Sequence, residues 1–316
     1  MYKRQGESLV RAALAAMPAV QARVTEAEAR AVFPGLAPWR ILVLDRFKGE
    51  LVKPLAPAEC SLAGRPEAFL ACGVNCPGRC RYCFLKTCAT VPYPVFYANV
   101  ADMAAELDAA LAAAPDLYVH LGHILDPLAY PFLAPLVGAF AAVLERHAGA
   151  MMELRTKFTA IDLLPAPPPA NLRVAFSLAP APMARRYEPG TPGVKARLRA
   201  LALLARRGYR LGVRLDPVLL PDGWEADYAA LCADIRAALR AAEDADIVLG
   251  TLRGPPAQRP EPVSYTHLTL PTIYSVSISV VPLSLKKKTT EQHHTNEHPS
   301  PTPHPDTTTP ALQTPT

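Results

Sequence analysis

A chain of 316 residues, half of them apolar and 19% charged, is long enough for one large α/β domain or two small ones with a substantial core. Its formal charge of +5 is moderately basic, compatible with nucleic acid but too diffuse to argue for it. No run of about 18 apolar residues argues for a membrane span, and no apolar stretch of signal-peptide type follows Met1-Tyr2-Lys3-Arg4-Gln5-Gly6, so the expectation is a cytoplasmic protein with no membrane partner.

Residues 1–60 read as an N-terminal extension, a helix around Ser8–Arg30 and a strand Ile41–Leu44 capping the core. From 61 to 262, short runs rich in Val, Ile and Leu alternate with longer Ala/Leu/Arg-rich stretches. The candidate strands are Ala68–Ala71, Leu117–Leu121, Met151–Thr156, Leu172–Leu178, Leu211–Leu215 and Asp246–Gly250. Helices are predicted at 100–113, 132–147, 193–207 and 225–241, with Leu198, Leu201, Leu203 and Leu204 as an apolar face beside Arg197, Arg199, Arg206 and Arg207. Strands alternating with helices predict a parallel sheet with right-handed crossovers, either doubly wound or closed into a partial barrel.

Composition shifts near Pro262. Beyond it Ser, Thr, Pro and His dominate, arginine is absent, and five of the eight histidines are found there (His267, His293, His294, His298, His304). The string Val263–Thr272 resembles an in-frame translation of a sequencing adapter. Residues 263–316 are therefore read as an artefactual or disordered tail, outside the fold and not a metal site, with the native C-terminus expected to be missing.

Five of the seven cysteines lie between Cys72 and Cys88, which is a poor disulfide framework. Cys76, Cys80 and Cys83 form a C-x3-C-x2-C run on a loop after the first core strand, where parallel α/β folds place their active sites. Thiolate sulfur favours an iron–sulfur cluster, zinc or Cu(I). Structural zinc usually takes four ligands, and a second C-x2-C pair is absent downstream, where Cys232 stands alone in a predicted helix. Cys72 or Cys88 would have to complete a zinc tetrad.

Three cysteines with an aromatic residue, Tyr82, before the last resemble the cluster loop of the radical S-adenosylmethionine (SAM) superfamily. Segments from 39 to 256 in matching order resemble, within it, the spore photoproduct lyase family. They are Asp45-Arg-Phe-Lys-Gly49, Glu153-Leu-Arg-Thr-Lys157, Phe176-Ser177-Leu178, Tyr187-Glu-Pro-Gly-Thr-Pro192, Arg214-Leu-Asp-Pro217, Gly223-Trp224-Glu225 and Gly250-Thr-Leu-Arg253. The resemblance implies a partial (β/α)6 TIM-like barrel and a [4Fe–4S] cluster on Cys76, Cys80 and Cys83 whose open iron takes SAM. A reduced cluster then yields a 5′-deoxyadenosyl radical. By the same resemblance Lys157 and Ser177 contact SAM, Tyr82 is a catalytic candidate or packs beside the cluster, the partner is DNA with a thymine lesion, and a flavodoxin or ferredoxin supplies electrons. Tyr187–Pro192 reads chemically as a turn before a helix, with Thr191 as cap and Pro192 in the first turn. Arg214 and Asp216 face the reaction site or pair with each other.

Two positions depart from the family pattern. The cysteine that donates a hydrogen atom after the second core strand is replaced by His123, and the tyrosine after the third cluster cysteine by Phe84. An imidazole N–H bond is too strong to stand in for a thiol. Either the substrate differs, or another donor such as Cys88 serves. The family's DNA-contacting hairpin would lie beyond residue 256. The alternative function is a non-catalytic nucleic-acid-binding protein with a structural metal on the cysteine loop, using Arg197, Arg199, Arg206, Arg207 and Arg210 on phosphates.

Overall fold

Six strands form where β-branched and leucine residues alternate with polar ones, and each coincides with a predicted strand to within a few residues. A computed structural model of the chain describes residues 37–55, 65–85, 91–131, 134–250 and 276–280. All fall in the first of the two units, Met1–Pro282 and Leu283–Thr316, into which the chain divides. The helix expected at Ser8–Arg30 and Cys88 lie outside the described residues.

The strands are β1 (Val43–Asp45), β2 (Val52–Pro54), β3 (Glu67–Leu70), β4 (Gly73–Val74), β5 (Val95–Tyr97), β6 (Tyr118–Leu121), β7 (Met151–Thr156), β8 (Leu172–Ser177), β9 (Arg210–Leu215), β10 (Ala245–Leu249) and β11 (Val276–Val280). The main sheet has the order β11-β10-β9-β8-β7-β6-β3-β2. Its inner six strands are all parallel, and β2 and β11 flank them antiparallel. Among the described residues the sheet does not close on itself, which gives the open, partial barrel. A second sheet, β1-β5-β4, lies in the segments that lead into and out of the cysteine loop.

Helices α1 (Val100–Ala113), α2 (Ala134–Leu144), α3 (Ala181–Tyr187), α4 (Val194–Arg206) and α5 (Trp224–Ala238) occupy the crossovers. Between β7 and β8 there is no helix. Pro165, Pro167, Pro168 and Pro169 remove the amide donors a helix would need. That stretch is tied down instead by Arg207, which donates to the Ile161 and Leu164 carbonyls at 2.9 and 3.0 Å.

The period of two along each strand divides the sheet into two unlike faces. Val119, Leu121, Met152, Leu154, Leu172, Val174, Phe176, Leu211 and Val213 share one face and are buried in a core with Met103, Leu107, Phe140, Leu201 and Ile235 of the helices. The other face carries Glu67, His120, Glu153, Arg173, Ser177, Arg214 and Asp246, all but Arg173 buried. Parallel strands usually read as continuous apolar runs because both faces are buried in hydrocarbon. Here one face is a charged interior, so the strands alternate.

One expectation needs correction. Leu203 does not belong to the apolar face of α4; it is 44% exposed, because it stands about 200° around the helix from Leu201. Past residue 262, β11 pairs with β10 from Ala245↔Val280 to Leu249↔Val276. Val-Ser-Ile-Ser-Val has the β-branched alternation that an open strand edge recruits.

Candidate active site at the carboxyl ends of the parallel strands

The chain leaves β3, passes through β4 and turns at Asn75, whose φ of 67° is left-handed. Asparagine tolerates that region, and its side-chain amide donates to the Val91 and Tyr93 carbonyls at 2.6 and 3.0 Å. The next residues are the cysteine loop. Arg79 N–H donates to the Pro189 carbonyl at 2.8 Å, and Arg81 N–H to that of Tyr187 at 2.7 Å. The loop is thus zipped to the segment joining α3 and α4. Gly78 permits the close approach: a Cβ there would sit 3.1 Å from the Thr191 methyl.

Cys80 is buried, and Cys76 and Cys83 are partly so. Burial pushes the Cys80 thiol up to about 11, against the lowering pull of the Lys157 charge. Burial also raises Cys76, and the Asp126 carboxylate, Cys80 and Cys83 add to the rise. The three sulfurs therefore lie within electrostatic reach of one another. Among the described residues no three His, Cys, Asp or Glu side chains converge tightly enough to hold a metal ion. The donor set fits a cluster: soft sulfur, three donors on one short loop, and a buried setting in which thiolates need a cation's charge.

Lys157 follows β7 directly. Its backbone N–H donates to Asp126 at 2.7 Å, as does the Thr156 hydroxyl at 2.7 Å and Leu128 N–H at 3.1 Å. Asp126 thus stitches the loop after β6 to the end of β7, while burial raises its carboxyl above the ordinary value. The Lys157 ammonium lies 5.7 Å from the centroid of the Tyr82 ring. Ser177 ends β8 and is buried.

Tyr82 is not a free phenol. Its hydroxyl donates to Glu188, and burial together with that carboxylate holds its proton on, well above the usual tyrosine range. Glu188 in turn faces Arg197 at 2.6 Å, an ion pair without a well-aligned hydrogen bond. Arg197 donates to the carbonyls of Ser177 and Pro192 at 3.0 and 2.8 Å and to the Thr191 hydroxyl at 2.6 Å. Cys76, Cys80, Cys83 and Lys157 therefore lie within electrostatic reach of one another, Tyr82 lies beside Lys157, and Ser177 is joined to Tyr82 through Arg197 and Glu188.

Several readings change. Thr191 caps no helix; α4 begins at Val194, and the Thr191 hydroxyl donates to the Glu188 carbonyl at 2.7 Å. Arg214 pairs with two other carboxylates: it forks onto Glu153 and donates to Asp246 at 2.7 Å. Tyr118 donates to Glu153 at 2.6 Å, Arg173 to Asp246 at 2.9 Å, and His120 meets Glu67 at 2.6 Å. This charged ladder crosses the sheet's polar face, and Gly212 makes room for it, since a Cβ there would stand 2.9 Å from an Arg214 nitrogen. The Asp45–Gly49 motif packs on the start of α1, where the Asn99 amide both donates to and accepts from the Phe47 backbone at 3.0 and 3.2 Å.

Of the five arginines offered for phosphates, Arg197 is buried, Arg207 holds the loop before β8, and Arg210 faces Asp244 at 3.3 Å. Arg199 and Arg206 remain exposed. His123 lies tilted against Phe69 at 4.9 Å and meets Phe84 at 5.8 Å, so an aromatic cluster occupies the place expected for a thiol. The residues missed from sequence were Asp126, Glu188 and Arg197. The available signal was a charged residue inside an apolar run, as in Ala196-Arg197-Leu198.

The family model for spore photoproduct lyase matches residues 64–254. Spore photoproduct lyase of Bacillus subtilis (strain 168) is 29% identical over 195 residues, covering 56% of this chain and 54% of that protein. The enzyme of that name from Geobacillus sp. (strain Y412MC61) is 27% identical over 194 residues, covering 57% and 54%. The chain thus spans about half the length of these curated relatives. A structure of spore photoproduct lyase complexed with dinucleoside spore photoproduct superposes with a TM-score of 0.58 at 21% identity, over 71% of this chain and 64% of that one. A variant with bound AdoMet and dinucleoside spore photoproduct superposes with a TM-score of 0.57 at 22% identity, over 71% and 64%. Those likenesses speak to the fold, and the match over 64–254 to descent: the chain belongs to the spore photoproduct lyase family of radical SAM enzymes.

Proposed function

We propose that this chain is a radical SAM lyase-like enzyme with residues 61–262 as its core, and that a thymine lesion in DNA is its substrate class. The observation that carries this reading is the three-thiol loop clasped at the carboxyl ends of the strands with Lys157 beside it. Cys76, Cys80 and Cys83 hold a [4Fe–4S] cluster, and three protein ligands leave one iron open to SAM. Bound there, cluster and SAM supply a 5′-deoxyadenosyl radical when a flavodoxin- or ferredoxin-type donor provides one electron. Lys157 brings a positive charge to the SAM carboxylate or a ribose oxygen. Ser177 supplies a polar contact from the end of β8, and Tyr82 packs as the wall beside Cys83.

The substrate class is supported by solved structures of spore photoproduct lyase, three of which hold dinucleoside spore photoproduct. His123, in its aromatic cluster, offers no thiol to quench a product radical, so the hydrogen atom comes from another group or the lesion differs in detail. The test is anaerobic incubation of the reconstituted protein with SAM, dithionite and dinucleoside spore photoproduct. Lesion loss together with 5′-deoxyadenosine is the expected result. 5′-Deoxyadenosine without lesion loss would remove the substrate class and leave the cofactor chemistry.

A further inference from the structure

Glu188 and Arg197 are both buried, with Glu188 at 3% and Arg197 at 0% exposure. A buried ion pair seldom stabilises a fold more than well-packed apolar residues would, because desolvation offsets the attraction. This one is also not part of the charged ladder on the sheet's polar face. Its bonds all lead to the candidate site. Glu188 accepts from Tyr82, the neighbour of Cys83, and Arg197 holds the Ser177 carbonyl and both Thr191 and Pro192. The carbonyls on either side of Glu188, at Tyr187 and Pro189, take the Arg81 and Arg79 amides of the cysteine loop. Gly190, at φ 81°, turns the chain so that the segment can follow the loop, and a Cβ there would crowd the Pro77 carbonyl at 3.3 Å.

We propose that Glu188 and Arg197 are positioning residues that lock the cysteine loop to the end of β8, so that the cluster wall and the Ser177 wall of the SAM pocket hold one fixed spacing. Tyr82 is the pin: its ring lies under Lys157 and its hydroxyl engages the pair. The proposal rests on reading Cys76, Cys80 and Cys83 as the cluster loop. The lock itself is built from bonds that need no metal, so it is present in the metal-free chain.

The test uses the full chain in two forms. In the metal-free protein, amide exchange of the peptide carrying residues 77–83 should quicken about tenfold in Tyr82→Phe and in Glu188→Gln, the worth of one ordinary hydrogen bond. Exchange in β9 and β10 should stay within about twofold of the parent. In the reconstituted protein, Arg197→Lys keeps the charge but loses the fork, and should weaken SAM binding about tenfold or more at unchanged iron content. Arg207→Lys, which loosens the loop before β8, should move neither readout. Unchanged loop exchange, or an even rise over the whole chain, would overturn the lock, as would unchanged SAM affinity in Arg197→Lys. A parent protein that takes up no iron while the loop exchange behaves as expected would instead overturn the cluster reading alone.

Discussion

The Lys157 ammonium sits 5.7 Å over the ring of Tyr82, and its charge offsets part of the rise that burial imposes on the Cys80 thiol. One cation therefore serves both the aromatic wall and the sulfur wall of the site. Lys157→Met should leave iron loading intact and weaken SAM binding by about 10- to 100-fold, the worth of a charge-assisted hydrogen bond of about 1.5–3 kcal/mol. Calorimetric titration of the reconstituted variant checks this; equal affinity would free Lys157 from any part in cofactor binding.

Asp126 places that lysine through the Lys157 amide and the Thr156 hydroxyl. Asp126→Ala leaves the Lys157 and Leu128 amides without an acceptor and the Thr156 hydroxyl only the Phe158 carbonyl at 3.3 Å, and should cost about 1–3 kcal/mol in denaturant unfolding with a further loss of SAM affinity. Asp126→Asn keeps one acceptor oxygen and should recover part of each.

The Glu153–Arg214 pair gives a pH signature. Burial alone would raise the Glu153 carboxyl, but Arg214 and Arg155 beside it hold it well below the usual carboxylate range. Its contribution to stability is then fully present above the ordinary value of about 4.3 and is lost as pH falls through the lower folded value. Glu153→Gln should show its largest stability deficit near neutral pH, narrowing steadily below about pH 4. Arg214→Met, which removes the buried cation Glu153 and Asp246 share and leaves them only Arg155 and Arg173 at their edges, should cost up to about 3–5 kcal/mol at pH 7.

His123 stands at the position where the sequence resemblance expects a hydrogen-donating thiol. His123→Cys should raise the yield of repaired thymine per 5′-deoxyadenosine when dinucleoside spore photoproduct is supplied. An unchanged ratio would point to a donor elsewhere in the chain or to a different substrate.

Much of the fold was legible because the strands declare themselves by composition and the cysteine loop by spacing. Met151–Thr156 is a strand whichever way Glu153 points, and Pro165–Pro169 forbids a helix without reference to any partner. The charged ladder was not legible. Arg214 is two residues from Asp216, yet it pairs with Glu153 and Asp246, 61 and 32 residues away. Pairing across parallel strands depends on register, which local sequence does not encode. Tyr187–Pro192 reads as a turn for the same reason: its function as a clasp needs the loop of Arg79 and Arg81 opposite it.

The central claim, a SAM-binding cluster on Cys76, Cys80 and Cys83, is tested most directly by iron analysis and SAM cleavage after anaerobic reconstitution. The account predicts about four irons per chain, a brown protein, and 5′-deoxyadenosine formed on reduction, all lost in the Cys80→Ser variant. A colourless protein carrying one zinc and leaving SAM intact would contradict it.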